Sequence, residues 1–179
     1  VGQYVQGHGR TRGQARLPDG ALWRPEQGRT LWVDDLYMSC PFLVRWGERT
    51  SDTRFLDDAA GQVIAFAQRQ QDRDGLWYHG NFVAESRTSP YKWGRGNGWA
   101  MVSTVEVLSA LPAGHRDRAR LIEILRRHVD GVRAVQAPSG RWHQVLDHPE
   151  LWEETSCTAM FTYAITRAVR RGWLPRVYL

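Results

Sequence analysis

Apolar residues return every three or four positions in five stretches of this chain, each long enough for several helical turns. In "GWAMVSTVEVLSALP", Met101, Val105 and Leu108 mark one face, and Pro112 closes the run because proline cannot continue a helix. "LWVDDLYMSCPFLVRWG" and "EETSCTAMFTYAITRAVRRG" carry a similar stripe. Two of these helices are followed by a second. One is "DTRFLDDAAGQVIAFAQRQ", with Ala59, Val63 and Phe66; the other is "RDRARLIEILRRHVDGVRAVQ", with Ile122, Leu125, Val129 and Val132.

Three related segments, "LPDGALWRP", "DRDGLWYHG" and "PSGRWHQVL", precede the first helices. Each sets Asp or Ser before Gly, which is turn chemistry, and a Trp within three residues after it. Gly20, Gly75 and Gly140 stand about 55 and 65 residues apart, a period suited to a helical hairpin plus a loop. The unit is therefore turn and loop, first helix, second helix, and the chain holds about two and a half units. Such hairpins cannot bury both faces alone and stack side by side. The predicted fold is all-α: an α/α toroid, here an incomplete arc, with first helices inside and the preceding loops on one rim. The whole span 1–179 reads as one partial barrel domain with an irregular stretch over 1–16.

Composition is globular, with 42% hydrophobic residues in 179. The net charge of +5 comes from arginines scattered along the chain, which speaks against a nucleic-acid partner and leaves room for an acidic small molecule. Nine tryptophans exceed what a core needs and fit the flat walls of a carbohydrate cleft. Cys40 and Cys157 match no metal or disulfide spacing and read as buried thiols. No apolar run reaches membrane-spanning length and no signal peptide opens the chain, so no membrane partner and a cytoplasmic location are expected. The start at Val1, within an aperiodic Gly- and Arg-rich stretch, looks cut from something longer. The residues leave the oligomeric state open.

If the units stack, their polar positions converge. Asp34 and Asp35 open the first inner helix, a "WGRGNGW" loop precedes the second, and Glu153 and Glu154 open the third. His79 and His143 follow the second and third turns and reach toward the same rim. Three glycines between Trp93 and Trp99 imply a backbone that bends sharply or is approached closely. Arg95 and Asn97 then offer donors to a planar, oxygen-rich ligand. Carboxylates in a first helical turn also serve as caps, and a His beside a Trp is often a satisfied structural residue. Convergence favours a site for an acidic sugar, with Asp34 or Asp35 as proton donor and acceptor. "HRDRARLIEILRRH" reads as the wet face of an outer helix, and Val44, Trp46 and "RGW" at 171–173 as packing and helix-end features.

At "LWVDDLYMSCPFL", "GLWYHG", "WGRGNGW", "SGRWHQVLD" and "ETSCTAMFTYAI…RGWL", taken in that order, the chain resembles the unsaturated uronyl hydrolases. These glycoside hydrolases include unsaturated rhamnogalacturonyl and glucuronyl hydrolases. The resemblance implies an α6/α6 barrel that hydrates the C4=C5 enol ether of a 4,5-unsaturated uronyl residue left by a polysaccharide lyase. The resulting hemiketal then opens and releases the next sugar. By motif, Asp34 matches the general acid and base, and His79, Trp93, Arg95 and Trp99 match substrate-contacting positions. His143 joins them as a substrate-binding candidate by convergence. No metal or organic cofactor is expected, since hydration needs only proton transfer. The family pattern also has an aspartate one repeat upstream of Asp34, ahead of Val1, and in many relatives an Asp after the His-Gly, where this chain reads Asn81 and Phe82. Two other readings stay open: a non-catalytic carbohydrate-binding arc, and another α/α-barrel enzyme such as an epimerase or an inverting glycosidase using Glu153 or Glu154 as second acid.

Overall fold

A computed structural model describes residues 16–24 and 28–179, so the irregular stretch expected over 1–16 lies, but for Arg16, outside the described residues. The helices are α1 (Val33–Thr50), α2 (Arg54–Gln70), α3 (Gly94–Ala110), α4 (Arg118–Ala134) and α5 (Thr155–Arg170). Short strands β1 (Thr30–Trp32), β2 (Gly80–Phe82) and β3 (Arg87–Thr88) form one antiparallel ladder, and β4 (Trp142–His143) pairs with β5 (Glu153–Glu154). These ladders are an addition to the all-α expectation. With two or three residues each they tie loops to helix starts and form no layer of their own.

The inner helices α1, α3 and α5 pack in sequence, while α2 backs α1 and α4 backs α3. The predicted stripes are buried: Ala59, Val63 and Phe66 on α2, and Met101, Val105 and Leu108 on α3. Helix α3 sits in the middle of the arc and is buried on nearly every face, Ser103 and Thr104 included. Both hydroxyls are satisfied by carbonyls of their own helix, at Trp99 and Ala100.

On α4 the phase differs from the sequence reading. Ile122 is only partly buried, and the inward stripe is Leu121, Ile124, Leu125, His128, Val129 and Val132. His128 therefore belongs to the core and not to a wet face, because it falls seven residues after Leu121 on the same stripe. Cys40 and Cys157 are free and buried, and burial pushes both thiols up to about 12. At the end of α5, Gly172 takes φ 72° and the Trp173 N–H caps the Ala168 carbonyl at 2.9 Å, the helix-end role expected of "RGW".

The repeat is visible bond by bond. Gly20, Gly75 and Gly140 adopt φ of 86°, 88° and 83°, and each N–H returns to the carbonyl three residues back. Two residues after each glycine, the backbone N–H is taken by a side chain from a helix: Leu22 by Gln62 (2.9 Å), Trp77 by Asn97 (2.8 Å) and Trp142 by Thr158 (3.2 Å). Gly75 is doubly required, since a Cβ there would lie 2.0 Å from the Arg127 carbonyl oxygen of α4. Neighbouring units interlock: the first N–H of α1 donates to His79 O (3.0 Å) and that of α3 to Gln144 O (2.8 Å). No helix among the described residues is long and apolar enough to cross a membrane.

Candidate active site

"WGRGNGW" is helix, not loop. Trp93 is the extended N-cap residue and α3 begins at Gly94. Its glycines serve close approach: a Cβ on Gly94 would sit 2.7 Å from His143 O, and one on Gly98 would sit 2.4 Å from Met160 Sδ. The helix start is thereby pressed against the third unit. Asn97 is buried with its amide turned onto backbone, so it offers no donor to a ligand. Arg95 and Trp99, four residues apart, share the outward face. The Trp99 ring packs on Tyr37 of α1 with centroids 4.2 Å apart.

The repeat places His79 where the second unit meets the start of α1. Its imidazole lies between two indoles, Trp32 at 4.9 Å and Trp93 at 4.7 Å between ring centroids, both edge-on. Nε2 lies 2.7 Å from Asp34 Oδ2. Burial acts to raise the Asp34 pKa, but the His79 hydrogen bond and charge act against it and hold the carboxyl below its ordinary range. Asp35 faces elsewhere. Arg24 forks onto its carboxylate at 2.7–3.0 Å, and the carboxylate accepts the Trp32 N–H at 3.3 Å, back across the helix start.

Arg95 lies over the Trp93 ring, 4.5 Å from its centroid, with Glu154 3.7 Å away, beyond hydrogen-bond reach. Glu154 is committed to its own helix: its carboxylate accepts from Ser156 N (3.1 Å), Cys157 N (2.7 Å) and Ser156 Oγ (2.8 Å). Glu153 accepts from Ser139 Oγ at 2.7 Å. The capping interpretation thus holds for Glu154, with Asp35 reaching back to Trp32, while Asp34 adds to its own backbone N–H a contact outside its helix, with His79.

Asp34, His79, Trp93 and Arg95 form one unbroken line of contacts at the mouth of the arc, ending on Glu154. His143 is not in that line. Counting from the turn glycines, it stands in register with Tyr78, and Gln144 takes the place of His79. Its Nδ1 donates to Leu151 O at 2.6 Å, leaving Nε2 as the acceptor of the neutral ring. Trp32 is the residue that sequence reasoning missed. The signal was present, since Trp32 and Trp93 both immediately precede an inner helix. Among the described residues no group of three His, Cys, Asp or Glu is placed to hold a metal ion.

The family model for glycosyl hydrolase family 88 matches residues 11–179. The chain belongs to glycosyl hydrolase family 88. The 24.9 kDa protein in picA locus of Rhizobium radiobacter is 37% identical over 150 residues, covering 76% of this chain and 63% of that protein. The unsaturated 3S-rhamnoglycuronyl hydrolase of an Alteromonas species is 29% identical over 154 residues, covering 83% of this chain and 37% of that one. A family 105 glycoside hydrolase structure from C. acetobutylicum superposes with a TM-score of 0.87 at 30% identity, covering 92% of this chain and 50% of its own. The chain therefore spans between about a third and two thirds of the length of these relatives. Its two hairpins and fifth helix are an arc of the α6/α6 barrel of this family 88 and 105 group.

Proposed function

We propose that this family 88 chain carries the acid-base site for hydrating a 4,5-unsaturated uronyl residue at the non-reducing end of an acidic oligosaccharide. The observation that carries this reading is the 2.7 Å contact between Asp34 and His79, framed by Trp32 and Trp93 and followed along the mouth by Arg95. Besides its own backbone N–H, the Asp34 carboxylate meets His79 of a neighbouring loop, a contact that capping alone does not require. The relative named an unsaturated 3S-rhamnoglycuronyl hydrolase supports the same substrate class.

In this reading a protonated Asp34 gives its proton to C4, positive charge develops at C5 and the ring oxygen, and water adds at C5. Asp34 takes the proton that water loses, so one carboxyl serves both steps and the atoms balance. The hemiketal so formed opens and releases the neighbouring sugar. The distance rule for paired carboxylates in ordinary glycosidases does not apply. Asp34 is held ionised by His79, so the protonated form must be favoured by the arriving substrate. The uronate carboxylate supplies that effect, because a second negative charge nearby raises a carboxyl pKa. Arg95 pairs with that carboxylate, Trp93 and Trp99 flank the rings, and His143 Nε2 accepts from a sugar hydroxyl.

The test is ultraviolet absorbance of the conjugated double bond, followed with unsaturated rhamnogalacturonyl and unsaturated glucuronyl disaccharides. Loss of absorbance with release of the second sugar is expected for at least one. Constant absorbance with both overturns the reading. Binding without that loss would favour the non-catalytic alternative.

A further inference from the structure

Asn97 is almost completely buried, 1% exposed, at the end of the first turn of α3, and its amide uses every hydrogen-bonding position it has. Oδ1 accepts from Trp77 N at 2.8 Å and lies 3.0 Å from His128 Nε2. Nδ2 donates to Trp77 O at 2.9 Å and to Trp93 O at 3.0 Å. Two acceptors around the nitrogen and two donors around the oxygen allow only one orientation of the amide. His128 is 1% exposed, and burial lowers its pKa to about 3, so the ring is neutral and its Nε2–H is the donor.

The two backbones held by this amide converge on one imidazole. Trp77 precedes His79 by two residues, and the Trp93 ring packs against His79 at 4.7 Å. The third unit supplies an internal comparison. Thr158 stands at the equivalent position of α5, four residues after the N-cap, and it accepts Trp142 N at 3.2 Å and donates to Glu154 O at 2.8 Å. Its loop carries Gln144 where the second unit carries His79. A two-bond hydroxyl therefore suffices to hold the loop, and the four-bond amide occurs in the unit that meets Asp34.

The geometry points to Asn97, oriented by His128, as a positioning residue that sets the His79–Asp34 contact through the backbones of Trp77 and Trp93. This rests on the proposed hydration only for its catalytic consequence. The positional claim stands on the contact itself.

The test uses the full chain with Asn97→Ala, His128→Leu, His128→Gln and, as a destabilised control in the α2 core, Val63→Ala. Without substrate, the His79 imidazole resonances are followed by nuclear magnetic resonance at one fixed pH, where they report the contact of Nε2 with Asp34. Asn97→Ala is expected to move them, since Asp34 no longer meets Nε2, and His128→Leu to move them less. His128→Gln, whose side-chain amide can still donate to Asn97, and Val63→Ala should give the wild-type resonances. With unsaturated disaccharide, Asn97→Ala should lower kcat about 10–100-fold, the range typical of groups that orient a catalytic side chain, with KM changed less than about threefold. Unchanged His79 resonances in Asn97→Ala overturn the proposal. Should Asn97→Ala fail to fold, identical His79 resonances in His128→Leu and His128→Gln overturn it, and a difference between them supports it. A wild type that leaves the double bond intact overturns the hydration reading, while the His79 resonances still decide the role of Asn97.

Discussion

At the start of α1 the carboxylate of Asp34 meets His79 of the neighbouring unit, whereas at the start of α5 the carboxylate of Glu154 folds back onto the N–H groups of Ser156 and Cys157. Both residues are acids at the N-terminus of an inner helix, and both are held below their ordinary pKa. The causes differ. Burial acts upward on each, and it is opposed chiefly by an imidazole from the neighbouring unit at Asp34, with its own backbone N–H and Arg24 adding less, and by backbone and hydroxyl donors of the same helix at Glu154. What separates the two arrangements is therefore the loop that docks beside each acid, not the residue type. The second unit brings His79 to α1, while the third brings Gln144 to α3.

The comparison is broken most decisively by exchanging function at Asp34. Asp34→Asn keeps the side-chain volume and can still hydrogen-bond to His79, yet it cannot cycle a proton. Single-turnover loss of double-bond absorbance should vanish in Asp34→Asn, with saccharide binding and melting temperature close to wild type. Glu154→Gln should retain turnover. If Glu154→Gln is the dead variant and Asp34→Asn is active, the roles are reversed and Glu154 is the acid-base group. Asp35→Asn belongs with the structural group and should lower the melting temperature without abolishing the chemical step, because its partners are Arg24 and the Trp32 N–H.

Arg95 sharpens the comparison from the ligand side, since it lies between the two acids. Its guanidinium is 3.7 Å from Glu154 and rests on the Trp93 face, so neither contact saturates its donors. Arg95→Ala is expected to weaken binding of the unsaturated uronide by about 1.5–3 kcal/mol, on the order of tenfold to a hundredfold in Kd. The chemical step should suffer less, because the uronate charge is present in both ground and transition states. Equal titration calorimetry for wild type and Arg95→Ala would show that the guanidinium only bridges Trp93 and Glu154.

Much of this was legible in the residues, and the parts that were not share a cause. The turn glycines, the three inner helices and the two outer ones follow from local periodicity and turn chemistry, which act within a few residues. The line from Asp34 through His79 to Arg95 followed from stacking the units. Two readings failed where an interaction between units decides. "WGRGNGW" looked like a loop because three glycines disfavour a helix, but the His143 backbone leaves no room for a side chain at Gly94, and one at Gly98 would have to displace the Met160 side chain. Asn97 looked like a ligand donor because its partner backbone lies 20 residues away. His143 stands one residue before Gln144, whose carbonyl accepts from Gly94 N as that of His79 accepts from Val33 N in the other unit.

The smallest expected effect concerns Glu154 alone and tests whether its carboxylate is a cap. Glu154→Gln removes the charge from the α5 N-terminus, and loss of such a cap typically costs about 0.5–2 kcal/mol. The sign with pH follows from the direction of the shift. The folded-state pKa lies below the ordinary glutamate range, so the ionised cap stabilises the fold above the unfolded pKa, and that stability is lost as pH falls through the folded pKa. Thermal melts of wild type and Glu154→Gln should therefore differ most near neutral pH and converge on acidification. A Glu154→Gln difference that stays constant from neutral to acid pH would mean that the side chain acts through packing rather than charge. The contrast between the two helix starts would then rest on Asp34 alone.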